Sequence, residues 1–275
     1  MSFLEDLFSL RGRVALVTGG ATGLGAMLAE GLVRAGAHVV IASRKRAACE
    51  AAAARMAALG PGTAEAATLD VANEADLVRF AQEMRAQHPK LDILVNNAGV
   101  SWGAPMDSFP HAQWARVMGV NVAAPFTLTR ELLPALKAAA TPQRPARVVN
   151  IGSIMGTAPV AEGAYSYTAS KAAVHHLTRT LAGEFAGDQI TVNALAPGPF
   201  PSNMTAFATG TEAGAAKVGR NVPLGRIGAA KDAAGAIVYL CSDAGAYISG
   251  AILPLDGGMS AATPLDLFAN TLGAS

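Results

Sequence analysis

Seven short apolar, β-branched runs alternate with six longer Ala/Leu-rich amphipathic segments, and this rhythm constrains the fold more than any other feature. The runs are Arg13–Thr18, His38–Ala42, Ala64–Leu69, Leu91–Val95, Ala146–Ile151, Gln189–Asn193 and Ala251–Pro254. The segments between them are Leu24–Ala35, Arg46–Leu59, Glu74–Gln87, His111–Ala139, Tyr165–Ala186 and Ala230–Ser242. Most runs lack polar alternation, as expected of strands covered on both faces. Strands alternating with helices make right-handed βαβ units and a parallel sheet. The expectation is an α/β protein: one doubly wound domain over residues 1–275, with a seven-stranded parallel sheet and helices on both faces.

Composition excludes several alternatives. Of 275 residues 51% are hydrophobic and only 15% charged, the reverse of the bias that produces disorder. Twenty-one Lys+Arg against 20 Asp+Glu leave a net charge of +1 with no basic stripe, so nucleic acid is not an expected partner. Two cysteines, Cys49 and Cys241, make no disulfide framework, and in helix-like surroundings they read as buried reduced thiols. No His/Cys pair has metal-ligand spacing, so no metal is expected. Glu5 and Asp6 stand where a leader would carry Lys or Arg, and no run of about 18 apolar residues occurs. The chain reads as cytoplasmic, with no membrane partner.

Two segments break the rhythm. Thr141–Pro145 is a short loop after a long helix that itself carries Pro134, where a kink is expected. Residues 197–228 hold several Pro and Gly without a clean period. A loop that long, starting at the carboxyl end of a strand, reads as a lid over a ligand.

After the first strand the chain reads Thr18-Gly19-Gly20-Ala21-Thr22-Gly23-Leu24-Gly25 and enters a helix. Glycines there permit a sharp turn and let backbone N–H groups and the helix N-terminus approach a pyrophosphate. The second strand ends in Ala42-Ser43-Arg44-Lys45, where a carboxylate would be expected to meet an unphosphorylated ribose diol. A hydroxyl and a guanidinium suit a 2′-phosphate instead, which favours NADP(H). Further on, Tyr167 and Lys171 stand at i and i+4 on one helix face. An ammonium beside a phenol favours phenolate and lowers its pKa toward a useful range. Ser153, after the fifth strand, is placed to donate to a carbonyl oxygen.

With Asn96-Asn97-Ala98-Gly99, Asn121 and Pro197-Gly198 added, these motifs resemble, over essentially the whole chain, the short-chain dehydrogenase/reductase family. The resemblance implies one Rossmann-fold domain, with a cofactor half at about 11–145 and a catalytic and substrate half at about 146–275. It implies reversible hydride transfer between a nicotinamide and a small-molecule carbonyl or alcohol. Tyr167 would be the general acid/base; Lys171 would lower its pKa and bind the nicotinamide ribose. Ser153 would polarise the substrate oxygen, and Asn121 would hold a proton-relay water. The cofactor would lie along Gly19, Thr22, Gly23, Leu24, Gly25, Ser43, Arg44 and Lys45. It would continue past Asp70 and Val71 at the adenine, Asn97, Ala98 and Gly99, and reach Pro197, Gly198, Phe200 and Ser202 at the carboxamide. Tyr165 is a decoy, since Ala169 occupies its i+4 position. The Ser153–Tyr167 interval is one residue longer than the commonest family spacing, read as an insertion in the substrate loop.

Within the family, the stretches Asn96–Ala104 and Ala196–Thr205 are similar to NADPH-dependent 3-oxoacyl reductases. One departure is Asp188, at a position where such enzymes present an arginine to an acidic carrier protein; carrier docking is therefore disfavoured. Trp102, Met155 and Met204, with Ser153 and Tyr167, are expected around an apolar substrate. The resemblance also implies a homotetramer packed on the two long Ala-rich helices. A secondary-alcohol, polyol or steroid dehydrogenase remains an alternative, as does a nucleotide-binding regulator without turnover.

Overall fold

The computed structural model describes residues 2–158 and 163–261. The expected domain bounds and the loop insertion before Tyr167 therefore extend in part outside the described residues. In chain order the elements are α1 (Phe3–Leu7), β1 (Val14–Thr18), α2 (Gly23–Arg34), β2 (His38–Ser43), α3 (Arg46–Met56), β3 (Thr63–Thr68), α4 (Glu74–Gln87) and β4 (Ile93–Asn96). Then follow α5 (Ala112–Met118), α6 (Ala124–Ala139), β5 (Ala146–Ile151), α7 (Tyr165–Phe185), β6 (Ile190–Pro197), α8 (Ala206–Thr209), α9 (Glu212–Gly219), α10 (Ala230–Cys241) and β7 (Ile252–Leu255). The seven strands form one all-parallel sheet in the order β3-β2-β1-β4-β5-β6-β7. This is the doubly wound Rossmann arrangement, with its topological switch between β1 and β4.

Period-two alternation divides each central strand between two cores. Ala15, Val17, Val39, Ile41 and Val95 pack under α2, α3 and α10 against Leu28, Leu32, Met56 and Ile237. Leu16, Val40, Leu94 and Val148 pack on the other face against Leu77 and Phe80 of α4, Leu128 and Leu132 of α6, and Leu181 of α7. Both sides of each central strand are apolar because both are covered. The edges differ from that expectation: β3, reading Thr-Ala-Glu-Ala-Ala-Thr, is half-buried between exposed ends, and most of β7 is half-buried. Cys49 and Cys241 are buried and free, as expected.

Three boundaries differ from the sequence reading. The segment expected as one helix over His111–Ala139 is broken by a π-helical turn at Gly119–Ala123, and the helix then runs without a break through Pro134. The sixth strand begins after Gln189, which adopts a left-handed conformation (φ 58°), and continues to Pro197 because β7 pairs with its second half. Two short helices, α8 and α9, lie inside the expected lid, whose ends are tied by Gly228 N–H donating to Pro199 O at 2.9 Å.

Candidate active site

The carboxyl ends of β1, β2, β4, β5 and β6 open onto one cleft of about 450 Å³. At its floor the glycine turn is locked to β4. Thr18 Oγ1 accepts from the backbone N–H groups of Asn97 and Ala98, both at 3.0 Å, and Asn97 Nδ2 donates to Thr18 O at 2.9 Å. Gly25 has no alternative here, because a Cβ would sit 2.3 Å from Gly19 O and 2.4 Å from Asn97 Nδ2. Thr22 caps α2 without using its side chain on the helix, so the first-turn N–H groups face the cleft without a side-chain acceptor. Such a terminus suits a pyrophosphate.

At the adenosine end, Ser43, Arg44, Asp70 and Val71 line the cleft; Lys45 does not. Arg46 is committed to Glu50 at 2.8 Å, whereas the exposed Arg44 makes no ion pair with another described residue. Lys45 is instead the N-cap residue of α3, outside the cleft lining. Every other expected cofactor residue lies on the cleft wall, including Gly19, Gly23, Leu24, Ala98, Gly99, Pro197, Gly198, Phe200 and Ser202. A dinucleotide fits a cradle so shaped: bare backbone at the turn, an uncommitted guanidinium at one end, and a hydroxyl-bearing loop at the other. That loop is held in shape by Thr205, whose Oγ1 donates to Phe200 O at 2.7 Å.

Ser153, Tyr167 and Lys171 meet at the other end of the same cleft. Ser153 Oγ accepts from Met155 N–H at 3.2 Å, so its own proton is directed to Tyr167 or to a ligand oxygen in the cleft. Burial holds the Tyr167 phenol above its ordinary value, opposed in part by a hydrogen bond with Ser153. Lys171 Nζ lies 5.5 Å from the Tyr167 ring centroid and donates to Ile151 O at 2.7 Å; burial lowers this ammonium to about 8. Burial thus outweighs any lowering of the phenol by Lys171 in the free chain. Tyr165 faces the other way, edge-on to Phe109 at a ring separation of 5.4 Å.

Asn121 sits in the π turn, and its side chain is fully engaged. Oδ1 accepts from Val100 N–H, while Nδ2 donates to Val100 O and Ser170 Oγ, each at 2.9 Å. These bonds pin the loop after Asn96-Asn97-Ala98-Gly99 to α7. The helical register slips by one residue at the same place.

The expected substrate residues divide between two clefts. Met204 lines the cofactor cleft beside Ser153 and Tyr167. Met155 lines a neighbouring cleft of about 660 Å³ with Met106, Phe109, Trp114 and Tyr165. Trp102 is 37% exposed and lines neither cleft. The two clefts share their walls: the loop after β5 and the first turns of α7 supply residues to both.

One residue of the site escaped the sequence reading. His175, one turn beyond Lys171, is buried beneath the serine loop, and a Cβ on Gly152 would lie 2.2 Å from its Nε2. Burial, then the nearby Lys171 and Arg179 charges, lower its pKa to about 4, only partly opposed by a backbone hydrogen bond at Gly156. A folded-state value below the unfolded one near 6.5 means the neutral imidazole contributes stability above pH 6.5, lost as pH falls toward 4. Wild type is expected to lose about 2–3 kcal/mol across that window beyond what His175→Gln loses, measured by urea unfolding at several pH values. Parallel losses would show that another group governs acid lability.

A family model described as enoyl-(acyl carrier protein) reductase matches residues 19–260. The chain is 45% identical to the rhamnolipids biosynthesis 3-oxoacyl-[acyl-carrier-protein] reductase of Pseudomonas aeruginosa, over 93% of this chain and 99% of that protein. It is 34% identical to the gluconate 5-dehydrogenase of Gluconobacter oxydans, over 93% and 97%. Among solved structures, the Pseudomonas aeruginosa RhlG/NADP active-site complex superposes with a TM-score of 0.89 at 44% identity, covering 93% of this chain and 99% of that one. A Burkholderia cenocepacia gluconate 5-dehydrogenase in complex with NADP and tartrate superposes at 0.85 and 32% identity, covering 94% and 100%. No helix of the described residues is long and apolar enough to cross a membrane. On fold, site and likeness together, the chain belongs to the short-chain dehydrogenase/reductase family of oxidoreductases.

Proposed function

We propose that the protein reduces the keto group of a 3-oxoacyl thioester, with NADPH as cofactor. The observation that carries the substrate class is the second cleft. Among the described residues its wall is Met106, Phe109, Trp114, Met155 and Tyr165 with small Ala and Gly, two threonines (Thr157 and Thr168) and a single histidine, His111, and no Lys, Arg, Asp or Glu. A sugar acid such as gluconate needs a cation or several donors for its carboxylate and hydroxyls; an acyl chain needs only apolar surface. Similarity to the rhamnolipid-pathway reductase supports the same reading. Asp188 is paired with Lys137 at 2.8 Å, so that edge offers an acidic carrier neither repulsion nor a free arginine. The thioester is therefore read as arriving without carrier docking.

When bound, NADPH supplies the hydride. The residues here do the rest. Ser153 donates its hydroxyl proton in a hydrogen bond to the keto oxygen, and Tyr167, protonated at neutral pH, transfers its proton as that oxygen becomes an alkoxide. A phenol held above its ordinary value suits this reductive direction. Lys171 is set to hold the nicotinamide ribose and to favour the phenolate left behind. Asn121 acts as a positioning residue through Val100. The proposal extends to a cytoplasmic homotetramer of single-domain chains.

Initial rates with 3-oxoacyl-CoA, 3-oxoacyl-carrier protein and 5-ketogluconate, followed by NADPH absorbance, test the substrate. The CoA thioester is expected to be turned over with the highest kcat/KM; preference for the keto acid would overturn the reading. Arg44→Ala is expected to lower kcat/KM for NADPH by roughly ten- to a hundredfold and leave NADH little changed, since a charge-assisted bond to the 2′-phosphate is lost. An unchanged cofactor ratio would remove Arg44 from that role.

A further inference from the structure

At the opposite end of the sheet from the cleft, three residues from three elements converge. His38 opens β2, Glu65 lies on β3, and His88 caps the C-terminus of α4. One ligand atom from each lies within 4.8 Å of the others, and all three residues are half-buried. His88 Nε2 is 2.8 Å and His38 Nε2 3.5 Å from Glu65 Oε1, and the two rings stand 5.3 Å apart. His38 Nδ1 lies 2.6 Å from Thr63 Oγ1, its neighbour across the β2–β3 ladder.

We propose that His38, Glu65 and His88 form a binding site for one divalent transition-metal ion of the zinc class. Two imidazole nitrogens and a carboxylate oxygen are ligands for zinc and its neighbours; magnesium and calcium require an all-oxygen set. Ligand atoms around a tetrahedral ion with bonds of about 2.0–2.1 Å lie roughly 3.3 Å apart, so the observed spacings need only small side-chain adjustments. An ion at His38 Nε2 would fix the proton on Nδ1, which then donates to Thr63 Oγ1, an outer-shell support of the kind metal-bound histidines have. Water completes the coordination on the open side. The ion would clip the half-buried edge strand to β2 and to the end of α4, far from the reaction. Sequence spacing conceals the set because 26 residues separate His38 from Glu65 and 22 separate Glu65 from His88.

The test uses the tag-free full-length chain after chelator treatment, with Co²⁺ as a spectroscopic probe and Zn²⁺ for calorimetry and thermal unfolding. The expected result is one ion per chain, visible Co²⁺ bands, and a higher Tm with Zn²⁺. Separately, His88→Gln and Glu65→Gln are each expected to weaken binding roughly tenfold or more and to abolish the Tm gain. His176→Gln, which removes an exposed histidine on α7, is expected to change neither. Circular dichroism checks that each variant folds; should His88→Gln not fold, Glu65→Gln on the edge strand carries the test. No saturable binding to the wild type, or binding that survives in the folded variants, would overturn the proposal.

Discussion

Replacing Tyr167 with Phe is expected to lower kcat by a factor of about 10² to 10⁴, the range lost when a general acid is removed. The change deletes one hydroxyl from a side chain that lines the cleft, so KM for NADPH and the unfolding midpoint should both stay close to wild type. Tyr165→Phe is the matched control. It lies only two residues away on α7 but faces Phe109 and the second cleft, and its loss should cost little. Steady-state rates for both variants decide the matter. Equal losses would mean that the phenol beside Lys171 is not the acid.

Lys171→Met should abolish turnover to a similar degree while leaving the fold at least as stable at neutral pH. The ammonium is 5% exposed, and burial lowers it from 10.5 to about 8. The folded state therefore disfavours the protonated form. Its destabilising effect, about 3 kcal/mol, is fully present below pH 8 and disappears as pH rises toward the unfolded value near 10.4. Losing the bond to Ile151 O returns about 1.5–3 kcal/mol of that gain. Wild type should thus gain stability relative to Lys171→Met between pH 8 and 10.4, as read by denaturant unfolding. A variant that is several kcal/mol less stable at pH 7, or that keeps its activity, would contradict this account. Function is here set against stability: the site holds a buried charge that the core would do better without.

Local pattern carried much of this protein. The alternation of apolar runs with amphipathic segments yields the doubly wound sheet, because strands covered on both faces and helices with one covered face leave distinct periods in the chain. The glycine turn is legible because Gly25 meets Gly19 O and Asn97 Nδ2 at distances no side chain tolerates. Tyr167 and Lys171 are legible because four residues are about one helical turn. Contacts between distant segments left no such trace. The π turn carries Asn121, whose side chain holds both backbone polar groups of Val100, 21 residues earlier. β6 runs on to Pro197 because β7, more than 50 residues later, supplies its partner. The sorting of Met155 and Met204 into different clefts, the burial of His175 under Gly152, and the meeting of His38, Glu65 and His88 depend on which elements become neighbours. Periodicity and turn chemistry are properties of adjacent residues, so the sequence alone determined the elements and the catalytic helix face. Cavity shape, desolvation and side-chain convergence are properties of packed surfaces, and only the tertiary structure decided them.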